Sequence, residues 1–200
     1  MIRAFLFDIG NVLLKFDFSL AIAQVAAESE VHDPLEVLAR IDQIKVGYED
    51  GQIDRPAFLR SVFDVLRYRG TEAQFIRAWE EIFEPNEPMI ALVEQLRGRY
   101  PLYLLSNTSD IHREYFLRRY PFFGCFDAGV FSYEVRVSKP NHAIYELAAR
   151  QLGIEPAATF FIDDLLPNIE AARAFGFRAH HYHADRHTEL LAELRQLELL

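Results

Sequence analysis

The strongest constraint on the fold is an apolar run near the N-terminus that ends abruptly at a carboxylate. Residues 2–7 carry little polar interruption, and Asp8 follows them directly. A run without a clean alternation of polar and apolar residues is typical of a strand covered on both faces, as in a parallel sheet. In open α/β sheets, ligands bind at the carboxyl ends of the strands. The pattern therefore predicts a buried strand that presents Asp8 at the binding edge of a sheet.

Three later segments carry further polar side chains at comparable points. One apolar run ends in a hydroxyl and an amide, and another ends in two carboxylates. Between them a lysine precedes a proline, which is favoured at the first turn of a helix. The residues concerned are Ser106 with Asn107, Asp163 with Asp164, and Ser138-Lys139-Pro140.

Strand-like and helix-like segments alternate over much of the chain, and this alternation predicts an α/β fold with a doubly wound parallel sheet. The predicted strands are 2–8, 100–105, 128–133, 159–162 and 177–182. The helices predicted in the same part of the chain are 89–97, 110–119, 140–152, 167–175 and 187–197.

Residues 17–83 differ from the rest because they contain no strand-like run. Apolar residues at helical spacing, the proline of Asp54-Arg55-Pro56 and the capping-box pattern of Thr71–Gln74 predict about four helices. Gly47–Gly51 is rich in turn formers and predicts a break. We therefore predict two parts, a core formed by residues 1–16 and 84–200 and a helical insert formed by residues 17–83.

Composition narrows the choice of partners and compartment. The formal net charge of −9 argues against nucleic acid or an anionic membrane as the main partner. No apolar stretch reaches the ~18 residues of a membrane span, and no signal-peptide pattern precedes the first strand. Cys125 is the only cysteine, so no intrachain disulfide is expected and a reducing compartment is natural. We expect a cytoplasmic protein that is a monomer or a homodimer.

The order of the four polar segments resembles the haloacid dehalogenase (HAD)-like hydrolase superfamily. The resemblance spans the chain from Phe5 to about Gly176. The Asp8-Ile-Gly-Asn-Val stretch, taken with the other segments, is most similar to the bacterial subgroup that includes the α-glucose-1-phosphatases and to the phosphatase domain of soluble epoxide hydrolases. The resemblance implies a Rossmann-like five-stranded sheet in the order 3-2-1-4-5, with the helical insert acting as a cap over the active site.

The same resemblance implies a Mg²⁺-dependent phosphomonoesterase that acts on a small phosphorylated metabolite, for example a sugar phosphate. Asp8 would be the nucleophile and would form an aspartyl-phosphate that water then cleaves. Mg²⁺ prefers oxygen ligands in near-octahedral geometry. Its ligands would be Asp8, the carbonyl of Gly10 and Asp164, with Asp163 as a direct or water-mediated partner.

The remaining implied roles concern the phosphate. Ser106 and Asn107, with backbone N–H groups at the start of the following helix, would donate hydrogen bonds to it. Lys139 would bind the phosphate and stabilise the charge of the transition state. Asn168 would orient Asp164 or Lys139.

One position departs from the pattern. Most phosphatases of this superfamily carry a second aspartate two residues after the nucleophile, which protonates the leaving oxygen and later activates water. The glycine at position 10 leaves this general acid unassigned, and Asp17 is a candidate at the mouth of the site. Tyr48 and Glu49 of the insert are also expected to face that mouth.

Two other functions remain open at this stage. A haloacid dehalogenase would use the same nucleophile on carbon without a metal, and the pair Asp163-Asp164 argues against it. A phosphometabolite-binding protein that lost turnover along with the acid at Gly10 is the second alternative.

Overall fold

The computed structural model describes every residue, Met1–Leu200, and contains seven strands and ten α-helices. The strands are β1 (Ala4–Phe7), β2 (Leu14–Phe16), β3 (Phe83–Pro85), β4 (Leu102–Ser106), β5 (Ala128–Phe131), β6 (Thr159–Asp163) and β7 (Arg178–His181). The helices are α1 (Ser19–Ala27), α2 (Pro34–Glu49), α3 (Arg55–Leu66), α4 (Glu72–Glu80), α5 (Glu87–Leu96), α6 (Asp110–Arg119), α7 (Ser132–Val135), α8 (His142–Leu152), α9 (Leu166–Phe175) and α10 (His187–Gln196).

Five of the strands form one parallel sheet in the order β5-β4-β1-β6-β7. When only these five are counted along the chain, the order is 3-2-1-4-5, as the resemblance implied. The labels differ because β2 and β3 form a separate antiparallel ribbon that the sequence analysis did not predict. This ribbon joins the two connections through which the chain enters and leaves the helical insert.

Both faces of the sheet are covered, which explains the uninterrupted apolar run of the first strand. Phe5 and Phe7 pack into one buried cluster, while Leu6 packs into a second cluster on the opposite face. All three side chains are fully buried. Strand side chains point alternately to the two faces, so a strand with helices on both sides needs apolar residues at every position.

The register brings the ends of the central strands to the same level. Phe7 pairs with Leu104 of β4 and with Ile162 of β6. The residues that follow at this edge include Asp8 from β1 and Asp163 from β6. The polar residues predicted at strand ends therefore meet at one edge of the sheet.

The insert contains four helices, α1–α4, with a buried cluster of their own. Phe58, Phe75 and Trp79 are almost completely buried there, and burial of such side chains stabilises by about 1.5–3 kcal/mol each. The predicted break at Gly47–Gly51 is wrong in its first half, because α2 continues through Gly47 to Glu49. The buried Tyr48 ring stacks on Phe58 with centroids 4.3 Å apart, and this packing offsets the low helix propensity of glycine.

The third strand of the sheet is shorter than predicted. It ends at Phe131 instead of residue 133, and Ser132 begins the short helix α7. The Ser132 hydroxyl donates to the carbonyl oxygen of Glu49 at 2.6 Å and accepts from the N–H of Thr108 at 3.0 Å. Ser132 therefore leaves the sheet to bridge the insert and the core. None of the helices is both long and apolar enough to cross a membrane.

Candidate active site

A cavity of about 280 Å³ lies at the carboxyl edge of the sheet, beneath helix α2 of the insert. It brings together most of the residues that the sequence singled out. The predicted residues that line it are Asp8, Gly10, Ser106, Asn107, Lys139, Asp164 and Asn168. Asp163 lies next to these residues in the protein interior, and Glu49 lines the cavity as expected. Asp17 and Tyr48 are the two predicted residues that the structure places elsewhere.

The Lys139 ammonium group forms the centre of the site. Its side chain is 1% exposed and its Nζ lies 2.8 Å from Asp8 Oδ1 and 2.6 Å from Asp163 Oδ2. Nζ also donates to the carbonyl oxygen of Leu105 at 2.8 Å. Burial lowers the pKa of Lys139, but the two carboxylates outweigh burial and raise that pKa above its usual value. The lysine is therefore a fixed positive charge at neutral pH.

The nucleophile candidate Asp8 lies in an unusual electrostatic environment. Burial raises the pKa of Asp8 to about 7, Lys139 opposes this shift, and the nearby Asp163 and Asp164 add to it. Asp8 and Asp163 thus share one lysine while Asp164 lies close to both carboxylates, and a further cation would relieve the repulsion among the three. Asp8 Oδ1 contacts Lys139, so Oδ2 is the oxygen left free to react.

Asp163 is held entirely by protein donors. It is completely buried and accepts hydrogen bonds from Lys139 and from the N–H of Leu165. The amide of Asn168 donates to both of its oxygens, at 2.9 and 3.1 Å. Asn168 therefore fixes Asp163, which in turn binds Lys139. The expectation that Asn168 orients Asp164 or Lys139 stays a prediction, and its hydrogen bonds favour Lys139, through Asp163. A carboxylate with so many partners is better suited to anchoring Lys139 than to binding a metal directly.

The residues suited to a divalent cation are Asp8, Asp164 and the carbonyl of Gly10. One ligand oxygen from each of Asp8, Asp163 and Asp164 can be chosen so that all three lie within 4.8 Å of one another. The Gly10 carbonyl accepts no backbone hydrogen bond, although Gly10 lines the cavity. An all-oxygen set of this kind fits Mg²⁺, which binds through one or two carboxylates and keeps several waters. Asn11 holds Asp164 in place by donating to its Oδ2 at 3.0 Å.

Ser106, the last residue of β4, and Asn107, the residue after it, have different partners. Ser106 lines the cavity at the strand end, as predicted for a phosphate-binding hydroxyl. The Asn107 side chain instead makes two hydrogen bonds to the backbone of Lys139. Its Nδ2 donates to the Lys139 carbonyl at 2.9 Å, and its Oδ1 accepts from the Lys139 N–H at 2.8 Å. The N–H of Thr108 is also engaged, with Ser132. Asn107 thus positions the lysine, and a direct role at the phosphate stays a prediction.

Asp17 does not line the cavity. Its side chain is exposed and accepts a hydrogen bond from the N–H of Ser19 at 2.8 Å. That bond lowers the pKa of Asp17 below its usual value, because it stabilises the ionised carboxylate. A group of this kind stabilises the start of α1 and is a poor proton donor at neutral pH.

The insert contributes polar groups whose chemistry the sequence did not reveal. Lys45 and Glu49 lie one turn apart on α2, line the cavity and form an ion pair at 2.9 Å. Burial raises the pKa of Glu49, and the Lys45 charge opposes that shift. Both Tyr48 and Glu49 were expected to face the mouth of the site. Glu49 lines the cavity, whereas Tyr48 is buried and bonds to Asp110.

An aromatic wall and a neutral histidine complete the cavity. Burial lowers the pKa of His112 to about 3, so the ring is uncharged, and Nε2 donates to the carbonyl of Trp79 at 3.0 Å. The Phe16 ring fills the space beside Gly10, because a Cβ on Gly10 would lie 3.1 Å from Phe16 Cε1. The other aromatic residues of the wall are Phe18, Phe83 and Phe116.

The chain is similar along most of its length to known phosphatases and to a solved HAD family enzyme. A D-ribitol-5-phosphate phosphatase from Bacteroides thetaiotaomicron is 25% identical over 186 residues, covering 88% of this chain and 90% of the relative. A sesquiterpene phosphatase from Aspergillus oryzae is 28% identical over 206 residues, covering 98% and 96%. A HAD family enzyme from Bacteroides thetaiotaomicron, solved with magnesium and inorganic phosphate, superposes with a TM-score of 0.83 at 27% identity, covering 92% of this chain and 96% of that one.

The family assignment rests on a broader match. The model of the family described as haloacid dehalogenase-like hydrolase matches residues 2–176, which include every polar segment at the sheet edge. The narrower resemblance to the α-glucose-1-phosphatases stays a prediction. The sheet order and the buried lysine between two carboxylates agree with this match. The chain belongs to the haloacid dehalogenase-like hydrolases.

Proposed function

We propose that the chain is a Mg²⁺-dependent phosphatase that hydrolyses a small phosphorylated metabolite through an aspartyl-phosphate formed on Asp8. The observation that carries this proposal is the placement of Lys139 between Asp8 and Asp163, beside Asp164 and the unpaired Gly10 carbonyl. The relatives named as phosphatases support the reaction class, and the neighbour solved with magnesium and phosphate supports the cofactor.

Each group of the site has a role that follows from its contacts. The free Oδ2 of Asp8 attacks phosphorus while Lys139 holds Oδ1 and fixes the orientation of the carboxylate. Mg²⁺ bound by Asp8, Asp164 and the Gly10 carbonyl would supply positive charge that offsets the repulsion between the carboxylates and the phosphate. Ser106 donates to a phosphoryl oxygen, and Lys139 stabilises the charge that develops in the transition state.

The cavity favours a small, hydroxylated leaving group. Its volume of about 280 Å³ lies near the lower limit of the ~300–1,000 Å³ common for ligand pockets. The aromatic wall suits the C–H faces of a polyol, while Lys45 and Glu49 offer donors and acceptors to its hydroxyls. These features, with the ribitol-5-phosphate relative, support a sugar phosphate or sugar-alcohol phosphate as the substrate.

The helical insert is proposed to act as the cap of this site. We divide the chain into a core of residues 1–16 and 84–200 and a cap of residues 17–83, since α1–α4 share a buried cluster and α2 covers the cavity. The cytoplasmic location and the choice between monomer and homodimer stay predictions from the sequence.

A panel of substrates tests the proposal against its alternatives. We expect release of inorganic phosphate from ribitol 5-phosphate, glucose 1-phosphate and 4-nitrophenyl phosphate, with loss of activity in excess chelator and recovery with Mg²⁺. Halide release from 2-chloropropionate in chelator would instead indicate a dehalogenase. Binding of phosphate esters without turnover of any of them would indicate a binding protein, and either result would refute the proposal.

A further inference from the structure

The cavity contains one carboxyl group that the proposed reaction has not used. Gly10 cannot donate a proton, and Asp17 lies outside the cavity. Of the carboxyl groups that line it, Asp8 is the nucleophile and Asp164 belongs to the metal set, which leaves Glu49. We propose that Glu49, from the cap, is the general acid and base of this enzyme. This inference rests on the proposed phosphatase function.

The backbone of Glu49 is linked through Ser132 to the residues that follow β4. Its carbonyl oxygen accepts from the Ser132 hydroxyl at 2.6 Å, and the same hydroxyl accepts from the N–H of Thr108 at 3.0 Å. Thr108 lines the cavity two residues after Ser106. The backbone of Glu49 is therefore fixed relative to the end of β4, although its helix belongs to the cap.

The environment of Glu49 allows both protonation states. Burial favours the neutral acid, while the Lys45 ammonium group at 2.9 Å stabilises the carboxylate. Asp42 and Asp50 add negative charge from the same helix region, and His112 of α6 is neutral at physiological pH because burial lowers its pKa to about 3. The net effect raises the pKa of Glu49, which suits a carboxyl group that must release a proton and take it back within one catalytic cycle.

In this proposal Glu49 acts in both steps of the reaction. Asp8 Oδ2 attacks phosphorus, the ester P–O bond breaks, and the Glu49 carboxyl gives its proton to the departing oxygen, which leaves as the alcohol. Water then attacks the phosphorus of the aspartyl-phosphate and passes a proton to the Glu49 carboxylate. The bond between Asp8 and phosphorus breaks, which restores the Asp8 carboxylate, protonated Glu49 and free phosphate.

Glu49→Gln separates these two steps when it is assayed with two kinds of substrate. Nitrophenolate leaves without protonation, so the variant should form the aspartyl-phosphate from 4-nitrophenyl phosphate but hydrolyse it slowly. We expect a burst of about one nitrophenolate per enzyme that exceeds any wild-type burst, followed by slow turnover. With an alkyl or sugar-alcohol phosphate the first step also needs the acid, and its single-turnover rate should fall by about 10²–10⁴-fold.

Three further variants control for structural effects. Glu49→Asp keeps a carboxyl group and should recover part of the activity without the burst. Asp17→Asn removes an exposed carboxylate outside the cavity and should match wild type on both substrates. Lys45→Met keeps the carboxyl of Glu49 and should shift the pH profile while preserving more alkyl-phosphate activity than Glu49→Gln.

The outcomes separate this inference from the function on which it rests. Wild-type activity in Glu49→Gln, or an equal loss on aryl and alkyl phosphates without a burst, would overturn the role of Glu49 alone. A selective loss on alkyl phosphates in Lys45→Met, with none in Glu49→Gln, would assign the proton to Lys45. A wild-type protein that hydrolyses no phosphate ester with Mg²⁺ would overturn the proposed function as well.

Discussion

Replacement of Lys139 by methionine should remove the charge that holds two buried carboxylates together. Methionine is similar in length and apolar, so the main change is electrostatic. Lys139 is 1% exposed, and its partners Asp8 and Asp163 are 10% and 0% exposed at the side chain. Removal of one partner from a buried ion pair typically costs about 3–5 kcal/mol, because the remaining charge is left uncompensated. We expect a loss of this size in the free energy of unfolding at pH 7, together with loss of catalysis.

The loss of stability in Lys139→Met should grow as pH rises, and this pH dependence would identify the uncompensated carboxylates as its cause. Without the lysine, which opposes the upward shift, the pKa of Asp8 in the folded variant should lie still further above its value in the unfolded chain. A carboxyl group with a raised pKa binds more protons in the folded state, so the free energy of unfolding falls as pH rises from the unfolded pKa to the folded pKa. Each such group contributes up to about 1.4 kcal/mol per pH unit. The difference between variant and wild type should therefore be smaller at pH 5 than at pH 8.

Urea unfolding at pH 5, 7 and 8, with and without Mg²⁺, measures these effects. Mg²⁺ should restore part of the stability of the variant, because it supplies positive charge to the same carboxylates and binds the folded state. Lys45→Met is the matched control, since it breaks a lysine–carboxylate pair of similar length at sites 23% and 19% exposed. Such a pair contributes about 0–1 kcal/mol. A Lys139→Met variant that loses no more than this control, or whose loss does not depend on pH, would refute the reasoning.

Three further predictions concern single residues. Asp8→Asn should keep the fold and lower the phosphatase rate by several orders of magnitude, because the nucleophile is gone; a wild-type steady-state rate in a pure preparation would contradict the assignment. His112 is buried with a pKa of about 3 in the folded protein, so the unfolded chain binds its proton first and stability falls as pH drops below about 6.5. His112→Gln should thus lose up to about 2 kcal/mol less than wild type between pH 7 and pH 5 in urea unfolding, and an equal loss in the two proteins would contradict this. Gly10 has no positive φ, and an added Cβ would lie 3.1 Å from Cε1 of the half-exposed Phe16 ring and 4.0 Å from Asp8 Oδ2. Gly10→Ala should therefore change the free energy of unfolding by less than about 1 kcal/mol; a much larger loss would show that the ring cannot move.

The sequence predicted the sheet edge well because each part of it has a local signal. Apolar runs that end in polar residues marked β1, β4 and β6, and parallel pairing places the ends of such strands together. The family resemblance then supplied their order. The register of these strands completes the site, since Phe7 pairs with both Leu104 and Ile162.

Side-chain pairing within the site was harder to predict. Asn168 was expected to orient Asp164 or Lys139, and its direct partner, Asp163, was not foreseen. The bonds of Asn107 to the backbone of Lys139 were not foreseen either. Which partner each amide side chain bonds depends on differences of a few ångströms in the positions of neighbouring polar groups. Residue type and spacing along the chain do not contain that information. The unpredicted ribbon of β2 and β3 has a similar origin, because it pairs two connections that are distant in the chain.

The proton donor shows most clearly why local reasoning was insufficient. Near the nucleophile the sequence shows only a missing acid at Gly10, and the next carboxylate along the chain, Asp17, lies outside the cavity. The space beside Gly10 is filled by the Phe16 ring, so the site has an apolar wall where the family resemblance had led us to expect a carboxyl group. A carboxyl group reaches the cavity from the cap instead, through contacts of Glu49 with Ser132 that no sequence window contains. If the general acid lies on the cap, proton transfer requires the cap to keep a fixed position relative to the core. The Ser132 hydroxyl, which bonds Glu49 of the cap and Thr108 of the core, helps to maintain that position.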